Sequence, residues 1–222
     1  MTLKKNMACL LAALGVSAIT SPAMAYEAGD ILVRGRIISV NPQDDSGLVS
    51  ANGSSIAGSG VSVDSDIMPE LDFTYMMSPH WGLELILAYT EHDVDASGSI
   101  SALGNIVETK VLPPTLNLQY HFSPSSTIRP YVGAGINYTH FFDSKVKGGL
   151  AAPGDDVDLD DSFGLAAQLG VDIDVNQDWF VNLDVKYIDI ETDAHIKSAG
   201  VSYKVDVDID PIVWGIGIGR RF

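Results

Sequence analysis

The sequence predicts an all-β protein, an eight-stranded antiparallel transmembrane up-and-down β-barrel. Three observations lead to this prediction. Residues 212–222 alternate between apolar residues and small or polar ones, and they end on Phe222. Seven earlier segments show the same period of two, which is typical of strands with one lipid-facing side. Long and short connections alternate along the chain, as in outer-membrane barrels with both termini in the periplasm.

The first 25 residues are predicted to be a secretory signal peptide that is removed. A positively charged start and an apolar stretch over residues 7–19 precede the sequence Ala-Met-Ala at 23–25, a small-x-small cleavage pattern. Residues 26–222 then form a single barrel domain. The one cysteine, Cys9, lies in the signal peptide, so the mature chain would carry no thiol and no disulfide.

The first four predicted strands lead from the start of the barrel to its middle. They cover residues 30–40, 64–77, 81–90 and 106–122. Every second residue is apolar or aromatic at positions 31–37, 67–75, 81–89 and 112–122. We expect that face to contact lipid and the mixed face to line the lumen. The Gly- and Ser-rich stretches 41–61 and 93–105 predict long external loops, and residues 78–80 predict a short turn.

The second four predicted strands complete the barrel. They cover residues 128–142, 162–175, 179–191 and 212–222, and the strand over 162–175 shows the cleanest alternation. Residues 143–161, which are acidic, and 192–202 predict external loops, whereas 123–127 and 176–178 predict short turns. Aromatic residues near the strand ends predict two girdles at the membrane interfaces. They are Trp81, Tyr120, Phe122, Trp179 and Phe222 at one level and Tyr89, Tyr138, Phe163 and Tyr187 at the other.

A soluble eight-stranded barrel of the lipocalin type is the alternative fold. That fold places its apolar face inward and its polar face outward. Here the apolar face is the more continuous one and carries aromatic residues at both ends. Charged residues such as Glu84, Asp172 and Lys186 lie on the other face. The combination favours the membrane barrel.

The charge of the chain excludes one class of partner. With 13 Lys and Arg against 29 Asp and Glu, the formal net charge is −16. Nucleic-acid binders need a basic surface, so we expect no nucleic-acid partner. The expected partners are outer-membrane lipid and lipopolysaccharide. Composition predicts no oligomeric state.

The inward residues differ along the height of the predicted barrel. The lower half is expected to form a packed polar plug, because a narrow barrel can be filled by side chains and buried opposite charges must pair. The plug residues are Arg34, Arg36, Asp72, Glu84, Arg129, Asp172, Asp184 and Lys186. The upper half is expected to form a hydrophobic lumen, whose residues are Ile38, Met68, Ile86, Val111, Phe141, Ile188 and Ile190. The pattern leaves open whether these residues line a funnel or simply pack together.

Prolines lie within one predicted strand and directly before another, at lumen height. Pro113 and Pro114 lie in the fourth strand, and Pro211 precedes the last strand. Each proline removes a backbone donor from the strand ladder. These three residues are therefore candidates for a lateral exit through the barrel wall. Local bends that shape the barrel are the alternative explanation.

Several stretches resemble the OmpW family of outer-membrane proteins. The most specific are residues 112–116, which read Leu-Pro-Pro-Thr-Leu, and residues 129–138, followed by two phenylalanines at 141–142. The start at 26–30, the Asp-Trp pair at 178–179 and the closing residues 219–222 are also similar.

The resemblance implies an eight-stranded barrel in the bacterial outer membrane that takes up small hydrophobic molecules through a hydrophobic lumen. We therefore expect a passive channel with an apolar funnel above a charged plug and a lateral exit into the bilayer. A structural or receptor barrel that binds partners through its loops and transports nothing is the alternative.

No catalytic or metal-binding pattern emerges from the remaining residues. The acidic stretch 154–161 does not have EF-hand spacing, and a solvated charge run explains it better than a calcium site. The five histidines are scattered without metal-ligand spacing. A lipid-modifying enzyme would need a nucleophile and a base in reach, and His140 with Ser144 makes only a weak pair. We expect no enzyme activity, no cofactor and no metal.

Overall fold

The computed structural model describes residues 25–222, so the predicted signal peptide lies outside the described residues except for Ala25. Within that range, no helix is long and apolar enough to span a membrane. Two short 3-10 helices occur, η1 at Ser101–Leu103 and η2 at Gly148–Leu150. The strands are β1 Ile31–Asn41, β2 Asp45–Ser46, β3 Ser50–Ala51, β4 Ser54–Ser55, β5 Ser59–Val63, β6 Asp66–Met76, β7 Trp81–Ala88, β8 Thr90–Gly98, β9 Asn105–Leu112, β10 Thr115–His121, β11 Ile128–Val146, β12 Asp156–Leu159, β13 Ser162–Asp174, β14 Trp179–Ile188, β15 Glu191–Ser198, β16 Val201–Asp208 and β17 Ile212–Arg221.

Eight of these strands close into an antiparallel barrel, which confirms the predicted fold class. Going round the wall, the order is β1, β6, β7, β10, β11, β13, β14 and β17, and β17 pairs again with β1. The last strand closes the barrel as the sequence predicts. At its end, the backbone of Phe222 accepts from Ile31 N at 3.0 Å and donates to Ile31 O at 2.9 Å.

The two faces of the wall have the predicted polarity. Large apolar side chains on the outward face are exposed, such as Ile216 at 58% and Leu165 at 67%. The inward neighbours of such residues are buried and mostly polar in the lower half. Exposing so many apolar side chains to water would cost free energy, whereas contact with lipid does not. This surface is therefore the lipid-contacting one.

Glycines on the inward face make room for large side chains on the neighbouring strand. Tyr131 lies directly opposite Gly170, and Phe180 lies directly opposite Gly219. A Cβ atom on Gly170 would stand 2.3 Å from the Tyr131 ring, and one on Gly219 would stand 2.2 Å from the Phe180 ring. A narrow lumen can therefore hold two buried aromatic rings only where the facing residue has no side chain.

The predicted external loops are largely wrong, because they contain further strands. Residues 41–61 hold β2, β3, β4 and the start of β5, and residues 93–105 hold most of β8. Residues 143–161 hold β12 and the end of β11, and residues 192–202 hold most of β15 and the start of β16. These segments show no apolar outward face, since their outward residues meet water. Lipid-facing alternation therefore does not predict them.

The extra strands extend the barrel wall beyond the lipid-contacting zone. One group is β5, β8 and β9 with the upper half of β11, and the other is β12, β15, β16, β3 and β4, with β2 on β16. Both groups turn apolar residues inward to form one cluster. Its buried members are Val49, Val61, Ala96, Ile106, Val107, Ala194, Ile196, Val205 and Val207.

The predicted fourth strand is divided in two by its prolines. β9 ends at Leu112 and β10 begins at Thr115, so Pro113 and Pro114 belong to neither strand. The ladder with β11 nevertheless continues past them, because Tyr138 N donates to Pro114 O at 3.1 Å.

Candidate functional site

Asp172 is the centre of the ion pairs in the lower lumen. It accepts from Arg34 Nη2 at 2.8 Å and Nε at 3.2 Å, from Tyr26 Oη at 2.8 Å and from Asn182 Nδ2 at 2.8 Å. Arg34 also reaches Glu84 Oε1 at 3.3 Å. Arg34, Asp172 and Glu84 are fully buried. Four donors around one carboxylate stabilise the charge that burial would otherwise disfavour.

A second group of ion pairs lies beside the first and centres on Arg36. Its guanidinium contacts Glu70 at 2.9 Å, Asp184 at 3.2 Å and Asp72. Lys186 Nζ lies 2.6 Å from Glu70 and 2.9 Å from Asp184. Together the two groups form what we call the ionic layer, whose members are Arg34, Arg36, Glu70, Asp72, Glu84, Asp172, Asp184 and Lys186.

Glu70 belongs to the ionic layer although the sequence analysis did not place it there. It lies two residues before Asp72 on the same face of β6, so strand periodicity carried the necessary signal. It was missed because nothing in the sequence shows at which height the polar lumen gives way to the apolar one. Among the described residues, the layer therefore counts five carboxylates against three cations.

Arg129 lies apart from the ionic layer, and its predicted pairing needs correction. We expected a partner among Asp72, Glu84, Asp172 and Asp184. Its guanidinium instead forms a bidentate pair with Asp174. Asp172 is its direct neighbour across the ladder with β13, but Arg34 already occupies that carboxylate. The Arg129 side chain therefore turns toward the next inward acid nearer the short-turn end.

An apolar cavity of about 80 Å³ lies above the ionic layer. Six of the seven residues predicted for the hydrophobic lumen line it, namely Ile38, Ile86, Val111, Phe141, Ile188 and Ile190. Met68 packs in the adjoining apolar cluster with Ile38 and Phe141. Glu70 and Lys186 are also among the lining residues, so the ionic layer forms the floor.

The predicted exit prolines lie at the height of the cavity. Pro113 and Pro211 line it. Pro113 stands opposite Ala88, between the ladder pairs Thr115–Ile86 and Val111–Thr90, and offers no N–H to β7. Pro211 leaves no comparable break, because its carbonyl oxygen accepts from Ile188 N at 3.3 Å.

A longer break in the wall lies on the other side of the same segment. The ladder between β6 and β7 ends at the pair Glu70–Ala88, and the next backbone bond is Asp64 N to Asp93 O at 3.1 Å. In the described part of the chain, no ladder pair joins residues 66–69 to residues 89–92. Each stretch keeps its other neighbour, β1 or β9. We call this break the β6–β8 seam.

The outer surface of the external strands carries most of the remaining charge. The ligand atoms of Asp160, Asp193 and His195 lie within 4.8 Å of one another, so the fold brings together residues that sequence spacing left scattered. Lys204 Nζ already contacts Asp193 at 2.9 Å. Across β15 and β16, Asp206 shares a hydrogen bond with Asp193. That bond and charge repulsion raise the pKa of Asp206. Asp193 is therefore already paired with Lys204 and Asp206.

Comparison with known proteins fits an outer-membrane barrel of this geometry. A model of the OmpW family matches residues 27–222. The chain belongs to the OmpW family. Outer membrane protein W of Vibrio cholerae is 41% identical and covers 98% of this chain and 100% of its own length. The Escherichia coli protein of the same name is 40% identical over 96% of this chain and 98% of its own length. Membership of the OmpW family and the names of these relatives place the chain in the bacterial outer membrane.

Solved structures of two outer-membrane proteins share the fold. The crystal structure of OprG from Pseudomonas aeruginosa superposes with a TM-score of 0.85 at 40% identity, covering 89% of this chain and 98% of the other. The solid-state NMR structure of AlkL in lipid bilayers gives 0.69 at 26% identity, covering 90% and 92%. A dibenzothiophene metabolism operon protein of Pseudomonas aeruginosa, PahQ, is 29% identical over 81% of this chain and 82% of its own length.

Proposed function

We propose that the protein is a passive outer-membrane channel for the uptake of small hydrophobic molecules. The observation that carries the proposal is the apolar cavity closed below by the ionic layer. The relative encoded in a dibenzothiophene metabolism operon supports an apolar aromatic substrate class. No catalytic step is part of the proposal. An apolar solute needs only a favourable intermediate site on its way to the better solvent, the bilayer.

The cavity supplies that intermediate site. Lipopolysaccharide presents a polar outer layer that apolar solutes cross poorly, and the external strands carry apolar residues through that layer. Removing apolar surface from water is worth about 25 cal/mol per Å². A solute that hides about 150 Å² is therefore favoured by roughly 4 kcal/mol over the same solute in water.

The ionic layer blocks the direct route to the periplasm in this proposal. Its side chains fill the narrow lumen and hold one another by ion pairs, with Arg34 and Arg36 at the centre. A small ion crossing it would have to break these pairs in a medium of low dielectric constant. We therefore expect low ion conductance together with uptake of apolar solutes.

The exit in this proposal leads through the wall at the β6–β8 seam. Tyr89 lies between β7 and β8 on the outward face, and the seam and Pro113 leave this segment with few backbone bonds on either side. At this height the wall is apolar on both faces. Met68 faces inward and Ile67 outward, with Ile67 71% exposed. A solute that leaves here passes from one apolar surrounding to another.

Uptake of a hydrophobic reporter tests the proposal. Cells carry the wild type, Ile188→Asp or Phe141→Asp at equal surface expression, and the reporter fluoresces on entering the membrane. A carboxylate in the cavity removes its apolar character, so we expect the rate of entry to fall toward that of cells lacking the protein. Ser202→Asp on the exposed external surface is the matched control and should leave uptake unchanged. Unchanged uptake in both cavity variants, or wild-type uptake no faster than in cells without the protein, would contradict the proposal.

A further inference from the structure

The short-turn end of the lumen contains a side chain that belongs to no strand. Tyr26 lies before β1, yet it is only 1% exposed. It packs with Leu32, Met76 and Phe180, which are fully or almost fully buried around it. A side chain from a non-strand segment is buried this deeply only where the surrounding strands leave a site of matching shape.

Polar contacts hold the Tyr26 ring from several directions. Its hydroxyl donates to Asp172 Oδ2 at 2.8 Å, and the Arg129 guanidinium lies 4.1 Å from its ring centre. The His121 ring meets it edge-on at 5.3 Å between centroids. Its backbone N donates to Pro124 O at 3.0 Å. Strands β10, β11 and β13 and the turn between β10 and β11 thus all contribute to one socket.

A tight turn directs Tyr26 into this socket. Glu27 N donates to Asp30 Oδ2 at 2.9 Å, and Asp30 N donates to Glu27 O at 3.3 Å. Gly29 has φ +100°, a conformation that only glycine adopts without strain, and its N–H donates to Met76 O at 2.8 Å. The segment from Tyr26 to Asp30 therefore reverses the chain, so that the residue before the turn points back into the barrel.

We propose that the lower lumen is a binding site for the chain's own phenol side chain, and that Tyr26 is a stopper that keeps periplasmic water away from the ionic layer. The phenol is suited to this role because it is both apolar and a donor. Its ring fills the opening, and its hydroxyl supplies Asp172 with a bond that water would otherwise supply. Ion pairs above it then act in a drier and less screening surrounding. The stopper does not depend on transport through the cavity.

The position of Tyr26 before the first strand allows its ring to leave the socket while the barrel wall stays intact. If the chain is cut after Ala25, as the sequence predicts, Tyr26 is the first residue of the mature protein. No strand ladder then has to break for the ring to leave the socket, because only the turn over residues 27–30 ties it to β1.

Accessibility of a single thiol tests the stopper. Gln119, a fully buried lumen residue two positions from His121, is replaced by cysteine in a mature chain that has no other thiol. Barrels are placed in lipid nanodiscs, and the rate of modification by a small cationic methanethiosulfonate reagent is measured. We expect the rate to rise at least tenfold on Tyr26→Ala. Tyr26→Phe retains the ring and should stay within about threefold of the parent. Added 4-methylphenol should slow the Tyr26→Ala reaction again by refilling the socket.

Two further variants keep the test decisive. Gly29→Val strains the turn without touching the lumen, and it should also speed modification if the turn seats the ring. Ser125→Cys on the exposed turn between β10 and β11 is the control, and its rate should not depend on residue 26. Equal modification rates at Gln119→Cys with Tyr26, with Tyr26→Ala and with Gly29→Val would overturn the proposal.

Discussion

The lower and the external parts of the barrel wall have opposite polarity. In the lower part the outward residues are apolar, such as Ile218, and the inward ones are charged, such as Arg34. In the external part the outward residues are charged, such as Asp206, and the inward ones are apolar, such as Val205. One continuous wall therefore obeys two burial rules, because lipid surrounds it below and water surrounds it above.

Between these parts lies a zone that is apolar on both faces. Ile38 points inward there and is 2% exposed, while its neighbour Ile37 points outward and is 56% exposed. The apolar cavity and the β6–β8 seam both lie at this height. The outward side chains change from charged to apolar at a greater height than the inward side chains change from apolar to charged. Their offset leaves a band in which the wall is apolar toward both the lipid and the lumen.

Removing a cation from the ionic layer should cause the largest loss of unfolding free energy. Arg34→Met leaves Asp172 and Glu84 buried with fewer partners, which should cost on the order of 3–5 kcal/mol of unfolding free energy. Urea unfolding of the refolded barrel in lipid measures this, followed by its heat-dependent gel mobility. Arg34→Met combined with Asp172→Leu should recover part of the loss. A loss below about 1 kcal/mol in the single variant would contradict a packed ionic layer.

A lysine introduced on each of the two outward surfaces tests whether these surfaces have opposite polarity. Ile216→Lys puts a charge on the lipid face and should cost about 2–4 kcal/mol near the membrane midplane. Asp208→Lys puts the same side chain on the outward face of β16, opposite Glu191 and Asp45. It should change stability by no more than about 0.5 kcal/mol. Equal losses for the two lysines would refute the reversal.

Adding a methyl group opposite the buried Phe180 ring should cause a smaller loss of unfolding free energy. Gly219→Ala places a methyl group against the Phe180 ring, and overpacking of this kind costs about 1–3 kcal/mol. Phe180→Leu, which is smaller, should relieve the clash. Unfolding midpoints of the two single variants and the double variant measure the coupling. The prediction is wrong if Gly219→Ala is equally destabilising with Phe180 and with Leu at that position.

The smallest of these losses is expected at Arg129. Its partner Asp174 lies at the short-turn end with 13% of its side chain exposed, so water can solvate the acid when the cation is removed. We therefore expect Arg129→Met to cost on the order of 1 kcal/mol, well below Arg34→Met. The same urea titration compares the two. A loss at Arg129 that equals or exceeds the loss at Arg34 would show that the charge network extends to the periplasmic rim.

Much of the lower barrel could be predicted from the sequence because its outward residues all contact lipid. Strict alternation around Ile216 and Leu165 predicted the strand and its lipid-facing side. The ion pairs could not be predicted one by one, since Arg129 and Arg34 lie on equivalent faces of different strands. Which of them reaches Asp172 depends on side-chain direction and on strand stagger, and neither is written in the residue order.

The external strands and the β6–β8 seam could not be predicted from the same alternation. Segments such as β15 and β16 alternate with the opposite sense, so residues 192–202 were predicted to be a loop. The seam lies beside Met68 and Thr90, in strands that each keep one regular neighbour. A missing ladder depends on two neighbouring strands, so the sequence of either strand alone does not show it. A proline marks lost backbone bonds on only one of the two sides of a wall segment.

Binding of an apolar solute in the band between the two parts is the central claim, and isoleucine methyl NMR tests it most directly. The barrel is labelled at its isoleucine methyl groups in lipid nanodiscs and titrated with naphthalene. The account predicts saturable shifts at Ile38, Ile86 and Ile188, which line the cavity, and no specific shift at the lipid-facing Ile216 and Ile218. Shifts confined to Ile216 and Ile218 would show that the solute enters lipid without occupying the lumen, and would contradict the account.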